Sequence, residues 1–208
     1  MEFLRHHAAE FALRCTEHTL LCIAAMAVAM VVAVPLGVVL ARRPRLAGLA
    51  TGAAGLVQTV PSLALLGLLM VLTGRIGWVP SVIALLLYAL LPILRNTIVG
   101  LGAVPRPVRD AAEALGMTRD QVLWQVSLPL AVPVVVAGLR TAWVWTVGAA
   151  TLCAFIGAGG LGVFINRGID TIDPRLVMLG VVPSALLALA GDLVLAGLGR
   201  WLEPERIP

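Results

Sequence analysis

Apolar positions in this chain form long unbroken runs rather than alternating or following a narrow stripe. Five such runs lie near residues 19–41, 46–72, 79–94, 129–154 and 176–198, and only Arg140 and Asp192 bring charge into them. About 20 consecutive apolar residues are needed to cross the core of a bilayer as a helix. Backbone groups in lipid must be satisfied within helices or a closed barrel, and continuous runs rather than period-two alternation select helices. The third run is the shortest. It reaches spanning length if Arg95 and Asn96 lie in the interface and the helix continues to Leu101. The expected fold is an all-α membrane protein of about five transmembrane helices. Residues 1–18 read as an N-terminal tail, 19–200 as the membrane domain and 201–208 as a C-terminal tail.

The polar stretch 102–128 breaks this pattern and carries a pattern of its own, DAAEALGMTRDQVLWQVSLP from Asp110 to Pro129. Pro107 suits the first position of a helix, where its missing N–H costs nothing. Gly116 can take the left-handed conformation that ends that helix. Thr118 and Gln121 have capping-box spacing for a second helix. The segment therefore reads as helix, glycine turn, helix, and Ala111 and Ala112 leave a surface shallow enough for another protein to approach.

Composition agrees and adds an orientation. The chain is 60% hydrophobic and 12% charged, with mean hydropathy +1.01, against about 25% charged in soluble domains. All fifteen basic residues are Arg. With five spans, Arg42, Arg43, Arg45, Arg95, Arg106, Arg109, Arg119, Arg200 and Arg206 fall on one side. Arg75, Arg167 and Arg175 fall on the other, with Arg5 and Arg14 in the N-terminal tail. Basic loops stay cytoplasmic, so the 102–128 loop and the C-terminus are expected inside and Met1 outside. The sequence pI of 9.8 then reflects topology, and no basic face on a soluble surface indicates nucleic acid. Within 208 residues the polar stretches are too short for an ATPase or a ligand-binding domain, so an ATP-driven motor would sit on another chain. The first span reads as an uncleaved insertion signal, because Glu2, Glu10 and Glu17 interrupt any signal-peptide pattern.

Several residues inside or beside the spans are unusual for lipid. Gln58, Pro61 and Ser62 lie in QTVPSLALLG, where the proline removes a backbone bond and favours a kink. Gln58 would face protein or water, as a packing residue or as part of a pathway. Pro92 marks a second kink candidate. Arg140 stands near the middle of the fourth span, where a charge by default marks a functional or paired site. Asp192 on the fifth span is its candidate partner, the alternative being an Arg140 that snorkels to the headgroups. An Arg140 facing a pathway would repel cations. Gly157, Gly159, Gly160 and Gly162 lie in FIGAGGLGVF, where Gly157-x-Gly159-x-x-Gly162 fits the spacing of a dinucleotide fingerprint, but that motif needs a preceding strand and a βαβ unit. A tight external turn, passive or beside a gate, is the expected use. Trp143 and Trp145 read as helix-packing residues, and His6, His7 and His18 as solvated surface. Cys15, Cys22 and Cys153 have no disulfide or metal-ligand spacing. Neither a catalytic constellation nor a cofactor or metal motif is present, so an intramembrane enzyme is disfavoured.

Asp110-Ala111-Ala112, three residues, Gly116, nine residues, Val126-x-Leu128-Pro129 resembles the E-A-A…G…I-x-L-P signature of ATP-binding cassette (ABC) importer permeases, with Asp for Glu and Val for Ile. The stretches VQTVPSLALLGLL, IALLLYALLPILRNTIVGL, EALGMTRDQVLWQVSLPLAVPVVVAGLRTA and ATLCAFIGAGGLGVFINRGI extend the resemblance across most of 19–198. They resemble the permeases of osmoprotectant importers, which take up glycine betaine, choline, carnitine or proline betaine. The resemblance implies a five-helix core like that of methionine-importer permeases and a cytoplasmic coupling loop. It implies a bacterial inner-membrane location. The implied partners are two cytoplasmic ATPase subunits, an external solute-binding protein and a second permease, identical or related. Rival readings keep the class and change the solute, to another small zwitterion such as ergothioneine or an amino acid, or make the chain a stand-alone channel or secondary transporter.

Overall fold

The structure, a computed structural model, describes residues 2–202, with side chains from residue 7 onward. Nine α-helices follow one another among the described residues. They are α1 Glu2–Ala41, α2 Pro44–Thr59, α3 Ser62–Thr73, α4 Trp78–Gly102, α5 Arg106–Ala114, α6 Arg119–Gln121, α7 Leu128–Ala150, α8 Gly162–Asp170 and α9 Pro174–Leu202. A π-helical turn, Val122–Ser127, joins α6 to α7, and a 3₁₀ turn, Thr151–Ile156, extends α7. The expected runs on to Leu101 and beyond are present, since α4 reaches Gly102 through Arg95 and Asn96. Pro92 is buried inside that helix, and the Asn96 side-chain amide donates to its carbonyl at 2.8 Å.

The helices cross the bundle alternately. The end of α1, the end of α4, the 103–127 loop and the start of α7 share one end, where Arg42 lies 3.9 Å from Asp120. At the other end a Cβ on Gly77, just before α4, would stand 3.1 Å from the Gly157 carbonyl oxygen that follows α7. The pair α2 and α3 therefore enters at the loop end and leaves at the opposite end, as one span broken by a 101° bend. With α1, α4, α7 and α9 it makes five crossings. The core between them is built from small and aliphatic side chains, among them Leu21, Ala25, Ala29, Ala33, Leu85, Ala89 and Ile93. Small residues let helices close up where lipid gives no hydrophobic drive. A Cβ on Gly37 would meet the Thr97 side chain at 2.7 Å, and one on Gly138 would meet the Pro92 carbonyl at 2.8 Å.

The kink expected at Pro61 is present as a full break, and the N-terminal segment differs from its expectation. The second span is not one run of helix. Pro61 offers no N–H, and the residue before a proline is pushed to extended backbone, so Val60 sits at ψ 128° and the helix stops and restarts. The 1–18 segment is not a separate tail either. From residue 2 it is helix continuous with the first span, so α1 has 40 residues, a length of about 60 Å against a hydrocarbon core of about 30 Å. Its N-terminal half has its own apolar seat, because Phe11 and Cys15 pack on Leu161, Phe164 and Leu176 of α8 and its neighbours. His18 is fully buried and His7 is half-buried, its ring edge-on to Phe164. Neither is solvated surface. His6, Met1, Arg5 and Arg206 lie outside the described side chains.

Candidate functional site: a projecting loop and a split cavity wall

The loop end is built from local bonds. Pro107 occupies the second helical position of α5 rather than the first, since the helix begins at Arg106. The helix stops at Ala114 with Leu115 as its cap, and Gly116 just beyond has a φ of +86°. The Met117 N–H donates to the Ala112 carbonyl and the Gly116 N–H to the Glu113 carbonyl, at 3.2 and 2.9 Å. This is a Schellman stop, which needs a residue free to turn left-handed. Thr118 then caps the next helix reciprocally. Its hydroxyl accepts from the Gln121 N–H at 3.3 Å, and its own N–H donates to the Gln121 side chain at 2.7 Å. The π turn that follows has the Leu128 N–H reaching back to the Leu123 carbonyl. Pro129 and Pro133 cannot donate in the first turns of α7, and a local change of helix pitch is one way to absorb such gaps.

The two alanines of the motif part company. Ala111 is exposed, whereas Ala112 is buried against its own chain, so the shallow surface expected of both belongs to Ala111. Asp110 and Gly116 are exposed, and Val126, Leu128 and Pro129 are half-buried. The sequence reading missed the apolar tips. Leu115 is 85% exposed and Trp124 68%. The available signal was an apolar residue set beside the glycine stop of a polar helix. Beneath the loop Arg42, Arg109, Arg119 and Glu113 line an open hollow of about 240 Å³.

The residues singled out within the spans form two neighbouring cavities. Gln58, Pro61 and Ser62 line one of about 380 Å³, with Tyr88 and Trp145. The break between α2 and α3 is clamped there. The Gln58 amide donates to the Tyr88 carbonyl at 3.0 Å, and the Tyr88 hydroxyl donates to the Val60 carbonyl at 2.9 Å. Arg140 and Asp192 meet as a bidentate pair, with Nε and Nη2 each 2.8 Å from a carboxylate oxygen. The partner expected for Arg140 is therefore in place. The pair lines a second open cavity of about 440 Å³ with Ala137, Thr141, Val144 and Trp145. Trp145 belongs to both cavity walls.

Trp143 and Trp145 take different roles. Trp143 is 8% exposed, and its indole N–H lies 3.2 Å from the Ala188 carbonyl. It packs as expected. Trp145, two positions on and so on another helix face, is 53% exposed. The packing expected of it is not provided by this chain.

Gly157, Gly159, Gly160 and Gly162 line neither cavity. They form the tight turn expected at the opposite end. Gly157, Gly159 and Gly160 all have φ near +80°, and a Cβ on Gly162 would collide with the Thr151 carbonyl oxygen. The turn is held by α1. The Gly160 N–H donates to Glu17 at 2.8 Å and the Leu161 N–H to His18 Nδ1 at 3.3 Å. The other ring nitrogen, His18 Nε2, is 3.2 Å from the Val147 carbonyl, which assigns the proton to Nε2. Arg14 bonds Glu17 at 2.9 Å, and Arg167 of α8 bonds both Glu10 carboxylate oxygens at 2.8 and 3.1 Å. The Glu10 bond raises the Arg167 pKa above its ordinary value.

A family model described as "Binding-protein-dependent transport system inner membrane component" matches residues 33–207. The choline transport system permease protein OpuBB of Bacillus subtilis is 41% identical over 204 residues, covering 98% of this chain and 94% of that protein. The glycine betaine/carnitine/choline transport system permease protein OpuCB of the same organism is 40% identical over 205 residues, covering 99% and 94%. The osmoprotectant import permease protein OsmW of Salmonella typhimurium is 41% identical over 195 residues, covering 92% and 91%. Among solved structures, an inward-facing form of the MetNI methionine ABC transporter aligns with TM-score 0.74 at 24% identity, over 90% of this chain and 95% of that one. At that identity the last match concerns the fold alone.

Proposed function

We propose, from the premise that this chain belongs to the binding-protein-dependent transport system inner membrane component family, that it is the permease subunit of an ATP-driven importer for a quaternary-ammonium osmoprotectant. The observation that carries the solute class is near-full-length identity of about 40% with relatives named for choline, glycine betaine and carnitine. The chain supplies a route through the membrane and a mechanical link. ATP hydrolysis belongs to separate cytoplasmic subunits, and capture of the solute to an external binding protein. A second permease, identical or related, closes the pathway.

The loop from Arg106 to Ser127 is the coupling element in this reading, and the basic end of the bundle is cytoplasmic. Its exposed Ala111, Leu115 and Trp124 offer a close approach and two apolar anchors to the motor subunit. Gly116 turns the chain back immediately behind them. Gln58, Pro61, Ser62, Arg140 and Asp192 face the pathway. The Gly157–Gly162 turn, which Glu17 and His18 hold, borders the outer gate.

The test is uptake by proteoliposomes holding this permease, its ATPase and its loaded binding protein. Glycine betaine, choline or carnitine should accumulate only with ATP. Movement of solute without the ATPase would make the chain a channel or secondary transporter. ATP-driven accumulation of a different zwitterion would keep the class and change the solute.

A further inference from the structure

We propose that Arg140, Asp192 and Trp145 form a contact site on the pathway wall for a small zwitterion carrying a quaternary ammonium. The site rests on the functional reading above and gives it an address. Arg140 stands near the middle of α7 and Asp192 in the inner half of α9, on two different spans. A charge pair in a span is costly, and replacing one by apolar side chains of similar volume is often neutral or stabilising. A purely structural role would also favour packing it away. This pair is not packed away. Its side chains keep 41% and 23% of their exposure and line an open cavity. Its open side meets no side chain among the described residues and is free to contact what enters the cavity.

The chemistry facing the cavity fits one kind of solute. Arg140 commits Nε and Nη2 to Asp192, which leaves Nη1 without a partner among the described residues, available to a carboxylate. Asp192 keeps unused lone pairs, because each oxygen accepts one of those bonds. Trp145 presents an exposed indole in the same wall, and indole faces attract cations without needing a donor proton. A quaternary ammonium has no N–H to donate, so an aromatic face beside a carboxylate is the recognition it can use. The bidentate pair also removes an objection that an isolated arginine would raise. Arg140 alone would repel a solute cation, whereas Arg140 with Asp192 is neutral overall and polar across its length. The Gln58–Tyr88 cavity shares Trp145, so the indole stands where a solute would pass from one cavity to the next.

Four forms of the permease, each assembled with ATPase and binding protein in liposomes, test this. They are wild type, Trp145→Leu, Trp145→Phe and the double variant Arg140→Met/Asp192→Leu, which keeps volume without leaving an unpaired charge. Membrane yield and ATPase co-purification serve as folding controls. Glycine betaine uptake by Trp145→Leu should fall roughly threefold to tenfold, the range of a lost cation–π contact, and Trp145→Phe should recover to within about twofold of wild type. The double variant should fall further. Wild-type uptake with no loss in Trp145→Leu or the double variant overturns the site and leaves the functional reading standing. Equal loss in the Leu and Phe variants also overturns it, because packing of the indole against a second chain would give that result. Wild-type complex that takes up neither glycine betaine, choline nor carnitine overturns the functional reading and this site with it. Should the double variant fail to insert, the two Trp145 substitutions decide.

Discussion

The two ends of the bundle solve opposite problems with the same residue type. At the loop end Gly116 makes a turn whose bonds all lie within six residues, from Ala112 to Met117. Nothing stands within 4 Å of where its Cβ would be. At the other end three glycines with similar φ turn the chain between α7 and α8, but their surroundings come from far along the sequence. Glu17 and His18, 143 residues away, hold the N–H groups of Gly160 and Leu161, and a Cβ on Gly160 would stand 3.0 Å from the His18 ring. One turn projects into open space and is self-contained. The other is sewn to α1, so movement there must carry α1 with it. A left-handed glycine therefore says little about function until its surroundings are known.

Substitution should separate the two ends. The largest effect is expected at Gly162, where a side chain meets the backbone oxygen of Thr151 and neither group can move without breaking the 3₁₀ turn. Gly162→Val should cost about 3 kcal/mol or more by overpacking and should be read as lost membrane yield and a lowered melting temperature. Normal yield and stability would mean that the Gly157–Gly162 turn is looser than its geometry. Gly116→Val comes next. It meets no neighbour, so its cost is the left-handed strain of a β-branched residue, about 1–2 kcal/mol, confined to the loop. The protein should still insert, while co-purification of the ATPase or solute-stimulated hydrolysis drops strongly. Unchanged association together with unchanged hydrolysis would show that this loop is not the coupling element.

The smallest perturbation asks which end faces the cytoplasm. Cys22 and Cys153 are buried and should not react with a membrane-impermeant maleimide, so replacing Cys15 by Ser suffices as background. In intact cells, cysteine introduced at exposed Arg75 should label and at exposed Arg119 should not, with no change in stability. The reverse pattern would invert the topology.

What the sequence determined by itself is the part set by neighbours within about a turn. Uninterrupted apolar runs gave the crossings, the Thr118–Gln121 spacing gave the reciprocal cap, and the left-handed stop at Gly116 followed from its place after a short polar helix. Arg140 and Asp192 were also legible, because they are the two charges within the apolar runs and the cost of leaving either alone is high. Position on a helix face across long separations was not legible. Apolar runs have no polar side to say which way a residue points, so Trp143 could not be told from Trp145, and in the short polar helix α5 only the packing of the fold separates buried Ala112 from exposed Ala111. His18 looked like surface because its partners are the Leu161 N–H and the Val147 carbonyl, backbone groups that any residue carries. The break at Val60 was readable from Pro61, but its 101° angle and its clamp by Gln58 and Tyr88 required α4 to be packed alongside. Tertiary packing alone decided those points, since a backbone donor or acceptor becomes specific only through where the fold leaves it.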